Sequence, residues 1–336
     1  MNRYLPLLAS FALCLALLVP SLAVAQSADD TVRAVGEMLQ GVMGNSDDTA
    51  TEPEEDPGNA DGEVSGPADS SNVPAAQVPS ADAPPVPGRL YARLTKDEGA
   101  LGSGVRWRVY SAKPEADGSY RTIAASDEPQ PVISVVPGEY VAVAVFGHAV
   151  ASRKLTVEST PFREAVTLNA GGLRLTSLKA DGSSLSARAV KLAVYSAEQD
   201  EFGQRKLIVD NAQPGRVIVL NAGSYHIVSQ YGDANSAVQD NVKVEPAQLT
   251  DARISHNAAQ ITFKLVNETG GEALANTSWS IRTPAGDVVK ESFGAFPTHI
   301  LAAGDYSVIA RHEDRIFNRE FSVAPGLSQE VEVVAQ

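Results

Sequence analysis

The sequence predicts an all-β protein of three tandem β-sandwiches, preceded by an export signal and a disordered acidic linker. Three observations carry this expectation. From Gly88 onward, short runs of alternating apolar residues are separated by clusters of Gly, Asn, Asp and Pro, with little helical periodicity, as expected of an all-β chain. A motif of the form apolar-x-x-Gly-x-Tyr, followed by alternation, occurs three times: VVPGEYVAVAVFG at 135–147, LNAGSYHIVSQYG at 220–232 and LAAGDYSVIARHE at 301–313. A large apolar residue precedes the motif tyrosine at a similar distance each time. The distance is 33 residues from Trp107 to Tyr140 and from Leu192 to Tyr225, and 27 from Trp279 to Tyr306.

These landmarks divide the chain into repeats at 88–170, 171–256 and 257–336. Each opens on an alternating strand (RLYARLT, GLRLTSL, QITFKLV) and continues, after a loop, with a second (VRWRVYS, VKLAVYS, TSWSIRT). In the second strand Trp107, Leu192 and Trp279 coincide, as do Val109, Val194 and Ile281. Residues two apart share a sheet face, so each pair is predicted to anchor a core. Gly138, Gly223 and Gly304 fall where the chain turns, because glycine reaches positive φ without steric cost. Tyr140, Tyr225 and Tyr306 then open the next strand. Each ring is expected to cover one end of the core while its hydroxyl finds a backbone group or water, in the manner of a tyrosine corner. The motif therefore reads as a structural signature of the repeat rather than a site presented three times. Phe146-Gly147 and Tyr231-Gly232 persist at its end in two copies, whereas the third has His312-Glu313.

The N-terminus has another character. Arg3, an apolar run from Leu5 to Leu18, and Ala23-Val24-Ala25 before Gln26 make residues 1–25 a secretory signal peptide with cleavage after Ala25. The apolar run is broken at Pro20 and is short of a membrane span, so the mature protein is expected periplasmic or secreted, with no later span. Cys14, the one cysteine, lies in the signal behind Leu13 rather than a small residue. That argues against lipidation and leaves a mature chain without disulfides or thiolate chemistry. Residues 26–43 contain a short amphipathic helix, with Asp29 and Asp30 at its start and Val32, Val35, Met38, Leu39 and Val42 on one face. Residues 44–87 read as a disordered Pro-rich linker. Within 46–87 there are ten acids and no Lys or Arg, which accounts for much of the net charge of -14. Their spacing matches no calcium loop, and the absence of a basic footprint argues against nucleic acid as a partner.

The sequence L-x-x-G-x-Y-x-V, a returning strand, a V-x-V and a final strand resembles bacterial prealbumin-like sandwich repeats. These include carboxypeptidase-regulatory-like, PEGA-type and collagen-adhesin B-type domains, and the resemblance covers 88–336. It implies an immunoglobulin-like or transthyretin-like fold of five to seven strands. It also implies a role as stalk, spacer or binding module of the cell envelope. Some collagen-adhesin domains carry a Lys–Asn crosslink promoted by an acid after the tyrosine strand; Val141 to Val145 and His226 to Gln230 supply none.

Catalytic patterns are missing from the sequence. His148, His226, His256, His299 and His312 have no metal-ligand spacing, and RHEDR at 311–315 lacks the second histidine of a zincin. Gly-Gly at 171–172 and 270–271 reads as loop rather than phosphate cradle. Asn267 and Asn276 head Asn-x-Thr/Ser triplets of ordinary loop chemistry. Neither a metal nor a cofactor is expected. The best candidate binding face is Arg106, Arg108 and Tyr110 in the first repeat with Tyr195 in the second, since these alternate with the core anchors; the third copy has Arg282 at the tyrosine position. The expected function is non-enzymatic: an envelope module binding a protein or surface polymer. A structural spacer or a carbohydrate-binding accessory module is the alternative.

Overall fold

The computed structural model describes residues 83–336. The signal, the helix at 26–43 and nearly all of the linker lie outside them. The described residues form three β-sandwiches of seven strands each. Repeat 1 holds β1 (Val86–Arg93), β2 (Val105–Ser111), β3 (Thr122–Ser126), β4 (Val132–Val135), β5 (Gly138–Phe146), β6 (Ala149–Val157) and β7 (Phe162–Thr167). Repeat 2 holds β8 (Ala170–Lys179), β9 (Val190–Gln199), β10 (Arg205–Val209), β11 (Val217–Asn221), β12 (Gly223–Tyr231), β13 (Ala237–Val244) and β14 (Leu249–His256). Repeat 3 holds β15 (Ala258–Val266), β16 (Ser278–Arg282), β17 (Val288–Phe293), β18 (Thr298–Ala302), β19 (Gly304–His312), β20 (Arg315–Val323) and β21 (Gln329–Val334).

Topology is the same in all three. A four-stranded sheet of order β3-β2-β5-β6 faces a three-stranded sheet of order β4-β1-β7, and the later repeats copy both. The first strand of each repeat pairs antiparallel with the fourth and parallel with the seventh, as when Gly88 pairs with both Ile133 and Phe162. The first and last strands are therefore neighbours that run parallel, so the chain enters at one end of the sheet and leaves at the other. The first strand reaches back to Val86 and Pro87, inside the segment read as linker, because Val86 pairs with Val135 and is buried in the core.

Each sandwich has its own core. Trp107 and Val109 anchor the first, Leu192 and Val194 the second, and Trp279 and Ile281 the third. The Trp107 indole donates to the Pro129 carbonyl at 3.4 Å and that of Trp279 to Gly294 at 2.8 Å. Each polar tip is thus satisfied while the ring fills the core. In repeat 3 the rings form a chain of contacts, Trp279 to Phe263 to Phe321 to Tyr306, with neighbouring centroids 5.4–5.7 Å apart.

Gly171 and Gly172 correct the loop reading. Both lie within β8, and a Cβ on Gly171 would fall 2.1 Å from the Glu245 carbonyl oxygen. The pair marks a close approach of two backbones inside a strand.

The chain's two tryptophans report on separate repeats. Replacing Trp107 by Ala is expected to cost repeat 1 about 3–5 kcal/mol. Denaturant unfolding followed by the remaining Trp279 fluorescence should leave the transition of repeat 3 in place, while circular dichroism shows an earlier transition for repeat 1.

Candidate functional site

The motif glycines and tyrosines build one geometry three times. The chain passes from the three-stranded sheet (β4, β11 or β18) to the four-stranded sheet (β5, β12 or β19) through two residues at most. Gly138, Gly223 and Gly304 take φ of 158°, 153° and 148° at the crossing, a region that side chains other than glycine's avoid. The tyrosine two residues on folds its hydroxyl back to the carbonyl four residues earlier. Tyr140 donates to Val136 at 2.8 Å, Tyr225 to Asn221 at 2.8 Å and Tyr306 to Ala302 at 2.9 Å. Burial pushes the Tyr140 and Tyr225 hydroxyls above the ordinary phenol range, so both stay protonated donors.

At the far end of the same strand the repeats meet. The β5–β6 tip, Gly147-His148, lies on β11 of repeat 2. The His148 N–H donates to the Val219 carbonyl at 3.0 Å, and a Cβ on Gly147 would stand 2.9 Å from the Val219 Cβ. Val219 in turn packs against the core of repeat 1. The Asn221 side chain clamps the contact: it accepts from the Val150 N–H at 3.1 Å and donates to the carbonyls of Val150 at 3.1 Å and Leu168 at 2.8 Å.

Repeat 2 meets repeat 3 in the same manner. A Cβ on Gly232 would stand 2.6 Å from the Ile300 Cβ on β18. Here the clamping asparagine comes from the tip. Asn235 donates to the Tyr306 hydroxyl at 2.8 Å and accepts from the Ala302 N–H at 3.0 Å. Asp233 adds an ion pair to Lys290 at 2.8 Å and a contact to His299 at 3.4 Å. Lys290 and then His299 hold its carboxyl below the usual range. Gly147 and Gly232, at φ of 63° and 73°, are thus required twice over, by their backbone conformation and by the neighbouring strand.

Beneath the second junction lies a buried polar layer that the sequence reading did not single out. His256 is fully buried, with Nε2 2.8 Å from the Ser229 hydroxyl and Nδ1 3.1 Å from that of Ser236; Ser229 also bonds Ser177 at 3.0 Å. The Tyr231 ring packs edge-on against the imidazole at 5.6 Å. Burial lowers the His256 pKa from its ordinary 6.5, so it sits there neutral. Ala144 and Leu168 occupy the matching positions in the core of repeat 1.

The candidate binding face is the outer side of the four-stranded sheet of repeat 1. Strand register places Arg106 beside Val145, Arg108 beside Val143 and Tyr110 beside Val141. Beyond the valines stand Val150, Ser152 and Lys154. Arg106 and Lys154 are exposed and Arg108 is half-buried; Tyr110 is 5% exposed, while Val141 and Val143 are fully buried. Burial raises the Tyr110 pKa, and Arg108 opposes the shift. Tyr195 is half-buried and takes the same register position beside His226 in repeat 2, so the structure groups Arg106, Arg108 and Tyr110 but leaves Tyr195 on the next sandwich. The row Val141, Val143, Val145 becomes His226, Val228, Gln230 in repeat 2 and Ser307, Ile309, Arg311 in repeat 3. Among the described residues no group of three His, Cys, Asp or Glu is placed to hold a metal, and no helix is long and apolar enough to cross a membrane.

A family model described as a Rhizobiales growth-associated tandem repeat domain matches residues 260–335, the span of repeat 3. No curated protein matches the chain. Among solved structures it is similar to the Bacillus anthracis TIE protein, at 12% identity and a TM-score of 0.23 over 74% of this chain and 51% of that one. It thus spans about half the length of that protein. It is also similar to a streptococcal ancillary pilin (12% identity, 75% of this chain, 99% of that chain, TM-score 0.27). A third likeness is to a minor pilin of Streptococcus agalactiae (12%, 51% and 95%, TM-score 0.29). The fold rests on the strand pairing above, and scores this low add no argument to it.

Two outcomes follow. Gly232→Val should break the second junction, through about 1–2 kcal/mol of backbone strain and the clash with Ile300. Limited proteolysis near Asn257 should accelerate while Trp279 fluorescence stays native. The His256 effect has a definite sign. Its folded pKa lies below the unfolded one, so its neutral form supports repeat 2 fully above pH 6.5, and that support is lost as pH falls toward the folded value. Denaturant midpoints between pH 7 and 5 should therefore decline for repeat 2, and His256→Leu should flatten the decline.

Proposed function

We propose that this is a non-enzymatic, exported protein of the cell envelope that binds another protein or a surface polymer through the outer faces of its sandwiches. One observation carries the reading. What the three repeats share (anchor, tyrosine corner, strand order) serves cores and junctions, whereas the ends of the outer row on β5, β12 and β19 differ: Val141 and Val145 become His226 and Gln230, then Ser307 and Arg311. A spacer needs only the first set; a shared frame with varied faces is what a module with several contacts requires. The face on repeat 1, with Arg106 and Lys154 exposed and Arg108 half-buried between them, suits an anionic ligand. Export follows from the signal at 1–25.

The test is retention of the purified mature chain, starting at Gln26, on isolated envelope polymer and on envelope protein extracts. Arg106→Glu with Arg108→Glu is expected to abolish retention at unchanged thermal stability. Equal retention of both forms, or none by either, would replace this reading with that of a spacer.

A further inference from the structure

Repeats 1 and 2 spend the tip end of their sandwich on the next repeat, and the third repeat changes that end. Its tip is Glu313-Asp314, with Glu313 at φ 53° where Gly147 stands at 63° in the equivalent two-residue turn. A Cβ at that position meets the receiving strand at 2.9 Å in the first junction and 2.6 Å in the second. The receiving position in repeat 1, matching Val219 and Ile300, is moreover the exposed polar Ser134. The third tip is therefore not shaped to seat on a further sandwich in the manner of the first two, nor on repeat 1 of another copy.

The surface around that tip is instead apolar and charged. The connection that reads SDEPQP at 126–131 and NAQPGR at 211–216 becomes SFGAFP at 292–297. Phe293 is 66% exposed and Phe296 59%. Register sets Phe293, Ser278, Arg311 and Ile316 on one rung across the outer face, with Ile316 61% exposed. Arg311, Glu313, Asp314 and Arg315 follow within five positions, all exposed, and make no ion pair among the described residues. Two basic and two acidic groups on one turn are complementary to their own image under a two-fold axis. A two-fold contact closes on itself, whereas a head-to-tail contact would propagate.

We propose that the tip end of repeat 3 is a self-association surface. Two copies pair there about a two-fold axis, Arg311 and Arg315 of each against Glu313 and Asp314 of the other, with Phe293, Phe296 and Ile316 in the contact. The surface is continuous in kind with the junctions of repeats 1 and 2, which use the same end of the sandwich. With only three apolar and four charged side chains a side, against the roughly 20–30 residues a side of stable complexes, the pairing is weak and concentration-dependent.

Sedimentation velocity on the full mature chain, from micromolar to millimolar and at low salt, tests this. The expected result is a mass rising with concentration to twice the monomer and no further. Phe293→Ser with Ile316→Ser should hold the chain monomeric with an unchanged circular dichroism spectrum. Arg315→Glu should weaken the dimer at least tenfold, and Arg315→Glu with Glu313→Arg should restore it. A wild-type chain that stays monomeric, a mass that grows past the dimer, or a charge swap that fails to restore pairing would each overturn the proposal.

Discussion

The hydrogen bond from each motif tyrosine to the carbonyl four residues behind it is the constraint on which the rest of this structure depends. It fixes the crossing between the two sheets of a sandwich, and so the direction in which β5, β12 and β19 leave that crossing. The far end of that strand is the tip that reaches the next repeat. The same bond also takes part in the junctions. Asn221 receives the Tyr225 hydroxyl on its carbonyl while its side chain clamps repeat 1, and Asn235 of repeat 2 donates to the Tyr306 hydroxyl itself. One polar contact thus couples the interior of a repeat to its neighbour. A buried hydrogen bond of this kind adds only about 1 kcal/mol net, and its larger effect is to select one geometry.

The two junctions are built to one plan with different chemistry. In the first, the asparagine belongs to the receiving strand, and the receiving Val219 helps close the core of the giving repeat. In the second, the asparagine belongs to the tip, Ala234 of the tip packs on the receiving core, and beside it Asp233 pairs with Lys290 and contacts His299. The second therefore responds to salt, since an ion pair at partly exposed positions is screened. The polar layer at His256 lies on the same side of repeat 2, where repeat 1 keeps Ala144 and Leu168.

Much of the sandwich architecture was legible in the residues. Strand alternation exposed Trp107, Leu192 and Trp279 as anchors because side chains two apart share a face, and that rule needs no knowledge of the fold. The tyrosine corner was legible for the same reason, since its donor and acceptor lie four residues apart. The loop reading of Gly171-Gly172 failed because the atom that excludes a side chain there, the Glu245 carbonyl, is distant in sequence. The candidate face alternates with the core at Arg106 and Arg108, but the alternation of burial ends at Tyr110, which is buried like Val109. How deeply Tyr110 is buried depended on a whole sheet, and periodicity does not report that.

The sequence by itself determined the number of repeats, their strands, their anchors and the turn that each glycine and tyrosine imposes, because all of these are set by local sterics and by period-two patterning. Only the tertiary structure decided what the Phe146-Gly147 and Tyr231-Gly232 endings are for. Their partners, Val219 and Ile300, lie some 70 residues further along the chain, a separation that no local rule spans. The same distance hid the meaning of His312-Glu313: a Cβ at that tip position does not fit against a receiving strand as the first two tips do.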